Sequence, residues 1–218
     1  MLVDARISEL LASRLCHELV APVGAVGNGI ELIEEFDESM RDEAMALIAT
    51  SAREASVRLQ FYRMAYGFAG RQSLGALAAA RELADARFEA IERVSLAWPP
   101  GEDGGDGATA LQDGGGKLLL NMIDVGVDCL PKGGLVGIEA TPGARGLALV
   151  VSAQGEGARL EPEARIALAA DVAIDDLSPR TVHAFFTARL AESFGAELTV
   201  EEGGGDMAIV RATLAPND

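Results

Sequence analysis

The chain has 218 residues, 49% of them hydrophobic but only 5% aromatic, so Ala, Leu and Val must pack a core sized for one large domain or two small ones. Its formal net charge of −16, from 34 acidic against 18 basic residues, excludes nucleic acid as a direct partner, since phosphate backbones need a basic surface. No membrane span or signal peptide is expected, and the two distant cysteines, Cys16 and Cys129, fit a reduced cytoplasmic setting better than a disulfide or zinc framework.

The first segment reads as a helical hairpin. Ile7, Leu11, Leu15, Leu19, Val23, Val26, Ile30 and Ile33 recur in steps of three or four, which predicts one long helix whose stripe buries against other helices in a bundle. The acidic stretch Glu34–Glu38 interrupts it, and Ser39 with Asp42 reads as a capping box opening a second helix. That helix is expected from Met40 to about Phe68, along Met40, Ala44, Leu47, Ser51, Ala55, Leu59 and Tyr62, with Gly67 and Gly70 as the break. A lone hairpin cannot bury two apolar faces, so a symmetric dimer forming a four-helix bundle is the simplest solution. Residues 1–71 hold eleven acids against seven basic residues, all arginine, a net of −4 that leaves −12 for the remainder. Arginine suits ion pairing and contact with phosphate or acidic partners, though ordinary surface charge also accounts for it.

From residue 73 the pattern becomes mixed α/β, so domains are expected at 1–72 and 73–218. A helix near 73–91 leads to a strand around Val94–Trp98, then a Pro/Gly/Asp-rich loop over 99–116. Another helix is expected at 117–130, followed by strands at 134–140 and 146–153 joined by Pro142-Gly143-Ala144. Helices near 161–171 and 179–194 precede a final hairpin, Ala196–Glu202 and Asp206–Leu214, turned by Gly203-Gly204-Gly205.

The chemistry concentrates in Ser13-Arg14-Leu15-Cys16-His17-Glu18-Leu19-Val20-Ala21-Pro22-Val23. His17 lies about 200° around an ideal helix from both Leu15 and Leu19, so it points away from the apolar stripe. Its own face carries Ser13, Ala21, Gly24 and Asn28, side chains small or polar enough to leave room for a visitor. An exposed imidazole is available as a nitrogen nucleophile. Glu18 follows directly and can orient the ring or accept its proton, and Pro22 removes the backbone hydrogen bond to residue 18 and should bend the helix there. Spacing alone reads equally well as a surface histidine beside an ordinary acid.

His17-Glu18-Leu19-x-x-Pro22-Val23 resembles the H-box of sensor histidine kinases, with Val20 where that family usually has a basic residue. The longer string from Cys16 through Pro22-Val23-Gly24-Ala25-Val26-Gly27-Asn28-Gly29 resembles the ChpT-type histidine phosphotransferases more closely. That resemblance implies His17 as phosphoacceptor and a homodimer that relays phosphate from the receiver domain of a hybrid kinase to cell-cycle response regulators. It also implies an α/β sandwich resembling a kinase ATP-binding domain behind the hairpin. Arg14, one turn before His17, would contact the phosphoryl group or an acidic partner surface. Receivers usually supply the Mg²⁺, so no cofactor or metal of the chain's own is expected.

The second half tests whether ATP is used. Leu118-Leu119-Leu120-Asn121-Met122-Ile123-Asp124-Val125-Gly126 resembles the kinase N-box, yet Val125 stands where the magnesium-binding Asn belongs. Val151-Ser152-Ala153-Gln154-Gly155-Glu156-Gly157 resembles the adenine box, with Ala153 in place of its Asp, and Ser178-Pro179-Arg180-Thr181-Val182 occupies the lid region without its glycines. A degenerate domain that binds no ATP is expected. An active histidine kinase and a non-catalytic dimeric adaptor are the rival readings. Gly114-Gly115-Gly116-Lys117 lacks the phosphate-loop spacing, Gly155-x-Gly157 lacks the third glycine of a dinucleotide fingerprint, and His183, ahead of Phe185-Phe186, reads as a core histidine.

Overall fold

Small and aliphatic residues build one 31-residue helix, α1 (Ala5–Glu35), that continues past a buried Pro22. The computed structural model describes residues 5–35, 40–67, 77–91, 93–99, 114–143, 146–169 and 172–215. Helix α2 (Arg41–Ala65) returns along α1. The two approach closely at Gly29, where an added Cβ would come 2.6 Å from Ile48 Cγ1 and 3.2 Å from the Ala44 carbonyl. Met40, without a side-chain cap bond, occupies the N-cap of α2, while Ser39, Phe68 and the expected domain boundary at 72 and 73 lie outside the described residues.

The rest is a sheet with helices against it. Helix α3 (Leu77–Glu89) leads into β1 (Val94–Ala97), α4 (Gly115–Asp128), β2 (Gly134–Gly143) and β3 (Gly146–Gln154). A short α5 (Pro162–Leu168) and a 3₁₀ turn at Ile174–Asp176 precede α6 (Val182–Ser193), β4 (Glu197–Gly203) and β5 (Met207–Leu214). The strand order is β1-β2-β3-β5-β4, with β1 parallel to β2 and every other pair antiparallel. Alternation sets the layers: Val136, Ile138 and Ala140 of β2, Leu149, Val151 and Ala153 of β3, and Val210 and Ala212 of β5 are buried. Glu139, Thr141, Arg211 and Thr213, out of step with them, are exposed on the opposite face. The expected architecture, a helical hairpin followed by an α/β sandwich, is present.

Boundaries shift where tertiary contacts override local pattern. Gly115 and Gly116 belong to α4, not to the preceding loop, because Gly114 serves as N-cap at φ +110° with the Phe194 ring where its Cβ would be. Helix α5 is shorter than expected, and α6 starts at Val182 after Ser178 and Thr181 bond to each other and to each other's backbone. Gly203 pairs with Met207, so the last turn is Gly204-Gly205-Asp206, with Asp206 itself at φ +57°.

The stripe on α1 also divides. Ile7 and Leu15 of the stripe, with Leu10 beside them, pack on a core that joins the end of α2 to the α/β half, so the N-terminal part of the stripe is covered within the chain. Val20, Val23 and Ile30 on α1 and Met45, Leu47 and Leu59 on α2 remain exposed.

Candidate functional site

His17 stands exposed midway along α1, and Ser13, Ala21, Gly24 and Asn28, which share its face, are exposed as well. A Cβ added to Gly24 would have nothing within 4 Å, so no packing within the chain demands a glycine there. Cys16, beside the histidine, is an exposed free thiol, whereas Cys129 is buried, with its thiol pKa pushed up to about 12 by burial.

Behind the ring, proline chemistry recruits an arginine. Pro22 has no N–H, so the Glu18 carbonyl, four residues earlier, loses its helical donor. Arg58 of α2 replaces it, donating from Nη1 to Glu18 O at 2.7 Å and to Glu18 Oε2 at 3.2 Å. Its other terminal nitrogen donates to Glu54 Oε1 at 2.5 Å. Glu18 is therefore held toward α2 at the residue next to His17.

Arg14 is occupied within the chain. Its Nη2 donates to Asp128 Oδ1 and Oδ2 at 3.0 and 2.8 Å and to Asp124 Oδ2 at 3.4 Å. Asp124, 1% exposed in the middle of α4, is the hub: Arg87 Nη2 of α3 lies 2.5 Å from its Oδ1, and His183 Nε2 of α6 lies 3.7 Å from its Oδ2. Arg87 also rests over the rings of Phe61 and Tyr62, 4.2 and 5.1 Å from their centroids. Burial alone would raise the Asp124 pKa, but Arg87, His183 and Arg14 together outweigh it and hold the carboxyl well below the usual carboxylate range. The Tyr62 and Tyr66 hydroxyls, raised first by burial and then by Asp124, close the cluster. His183 is fully buried against Thr187 and Tyr66, the core histidine its sequence context implies.

The kinase-like motifs have structural employment. Asn121 donates from Nδ2 to Ala65 O, and Lys117 from Nζ to Gly67 O, so α4 satisfies carbonyls at the end of α2 that lack helical donors. Ala153 is buried in β3 between Val136 and Ala208. Val125 lines a cavity of about 350 Å³ whose walls include Arg14, Arg180, Asp128, Glu161 and Glu163.

A family model for the histidine phosphotransferase C-terminal domain matches residues 77–206, from the first residue of α3 into the β4–β5 turn. The protein phosphotransferase ChpT of Brucella abortus (strain 2308) is 30% identical over 202 residues, 92% of each chain. The chain belongs to the histidine phosphotransferase family. Among solved structures, a bacterial phosphotransferase superposes with a TM-score of 0.76 at 28% identity, covering 97% of this chain and 98% of its own. The family model falls on the α/β half, and the whole-chain relatives extend the likeness over the hairpin that carries His17.

For a histidine phosphotransferase, the exposed imidazole and its small-residue face were legible from helical spacing. Arg58, Arg87, Asp124 and Asp128 were not, since each acts through a partner far along the chain. One signal was available for Asp124: a lone carboxylate inside the apolar run Met122-Ile123-Asp124-Val125 must find a cation to be buried at all.

Proposed function

We propose that His17 is the phosphoacceptor of a relay between receiver-domain aspartates. The observation that carries this is the imidazole's exposure among Ser13, Ala21, Gly24 and Asn28, a face low enough for a partner helix to approach. An imidazole nitrogen attacks the phosphorus of an aspartyl phosphate; the N–P bond forms as the P–O bond breaks, and the receiver's carboxylate is regenerated. The proton on the other ring nitrogen leaves to solvent, with Glu18 the adjacent carboxylate. The second receiver reverses these steps with its own aspartate. Such in-line transfer depends on positioning and charge neutralisation, with Mg²⁺ brought by the receiver, so few groups of this chain need touch the phosphoryl.

The chain works as a homodimer, in which Val23 and Ile30 of α1 and Met45, Leu47 and Leu59 of α2 bury against their copies in a four-helix bundle. Val23 sits about 120° around α1 from His17, so pairing through it leaves the histidine face open. ATP has no part in the reaction. Val125 and Ala153 replace the metal ligand and the adenine acceptor. The acidic α/β half, with its net −12, offers basic patches on docked receivers a complementary surface.

Incubation of the full chain with Mg²⁺ and a phosphorylated receiver domain tests the reading. Acid-labile label should move onto this chain and on to a second receiver, and Mg-ATP alone should give none. Label from ATP alone would restore the kinase reading, and no label from either source would leave an adaptor.

A further inference from the structure

We infer that α4 is a mount that fixes His17 in space, with Arg14, Asp124 and Asp128 as positioning residues; the inference rests on His17 being the phosphoacceptor. Helix α4 holds both arms of the hairpin at once. Asp124 and Asp128 take Arg14 of α1, three residues before His17, while Asn121 and Lys117 take the carbonyls ending α2. Asp124 is in turn held from behind by Arg87 of α3. Farther along α1, Arg6 donates from Nε to Ile174 O at 3.1 Å and from Nη2 to Asp175 O at 2.9 Å, so the helix is clamped at two points two turns apart before it reaches the histidine.

A buried ion cluster is a poor source of net stability, because desolvation consumes most of the attraction. What it supplies is discrete geometry: charges that must meet fix the register and rotation of the helices carrying them. A kinase needs its nucleotide-binding half free to carry phosphate to the histidine. A relay receives its phosphoryl group on a docked partner and gains from a rigid imidazole. Here the helix that resembles the N-box has its carboxylates spent on the hairpin, which suits the second task and opposes the first.

The test is single-turnover transfer from a phosphorylated receiver to the full-length chain, across receiver concentrations, for wild type, Asp128→Asn, Arg14→Gln, Arg14→Lys and His17→Ala. Asp128 is 42% exposed, so Asp128→Asn leaves the buried Asp124–Arg87 pair intact and the chain folded. Because displacement by about 1 Å can cost about a hundredfold, Asp128→Asn and Arg14→Gln should lower the saturating rate at least about tenfold. The half-saturating receiver concentration should stay within about twofold, as expected when transfer and not binding is impaired. Arg14→Lys should recover most of the rate, because a single nitrogen of Arg14 makes all three contacts with Asp124 and Asp128. An unchanged saturating rate, or a loss confined to the half-saturating concentration, overturns the mount while a silent His17→Ala leaves the phosphoacceptor reading standing. Labelling of His17→Ala overturns both.

Discussion

Replacing Asp124 with Asn removes the charge that buried Arg87 and half-buried Arg14 share. The carboxylate is 1% and the Arg87 side chain 7% exposed, so Arg87 is left without a counter-charge, whereas Arg14, 12% exposed, keeps Asp128. Breaking a buried pair from one side leaves an uncompensated charge and costs about 3–5 kcal/mol. For a chain of this size each kcal/mol lowers the melting temperature by about 2–4 °C, so the variant should melt about 6–20 °C below wild type. The pH dependence has a definite sign. Asp124 has a folded pKa depressed below its ordinary value, so its contribution is present above the unfolded pKa of about 4 and is lost as pH falls toward the folded value. The gap between wild type and Asp124→Asn should therefore be full at pH 7 and narrow in acid. Thermal unfolding followed by circular dichroism, at one fixed chain concentration because dimerisation shifts the midpoint, gives both quantities. A variant melting within about 2 °C of wild type at pH 7 would refute the idea that the cluster is a paired buried network.

Gly24→Ala adds a methyl into open space on an exposed helix and should stabilise the chain by up to about 1 kcal/mol. If receivers approach over that face, the same variant should transfer phosphate more slowly, and stopped-time labelling beside a melting curve checks both. Val23→Asp, at a position 58% exposed in the single chain, should leave the fold intact but halve the mass seen by light scattering from twice 22.7 kDa; an intact dimer would place the interface elsewhere.

Local patterns carried the elements and the histidine face because both depend on periodicity alone. The apolar run from Leu118 to Val125 reads as a buried helix, the glycines near 204 as a turn one residue out of place, and His17 as the residue opposite Leu15 and Leu19. What periodicity cannot show is which surface an apolar stripe meets. Leu15 looked like bundle packing but lies on a core that α2 shares with the α/β half, beside Arg14, which binds carboxylates 110 and 114 residues away. Arg58 was unreadable for a similar reason: Pro22 announces an orphaned carbonyl at Glu18, but the donor that fills it comes from 40 residues downstream. Gly114, with its left-handed backbone under Phe194, shows the same limit at a helix boundary.

The most direct measurement is the position of the label after transfer from a phosphorylated receiver in Mg²⁺, with wild type, His17→Ala and His183→Ala compared. His17 is exposed and His183 fully buried, and these are the only two histidines in the chain. Acid-labile phosphate should appear on wild type, persist on folded His183→Ala, and vanish from a His17→Ala variant that keeps its fold and dimer. Full labelling of His17→Ala would contradict the assignment.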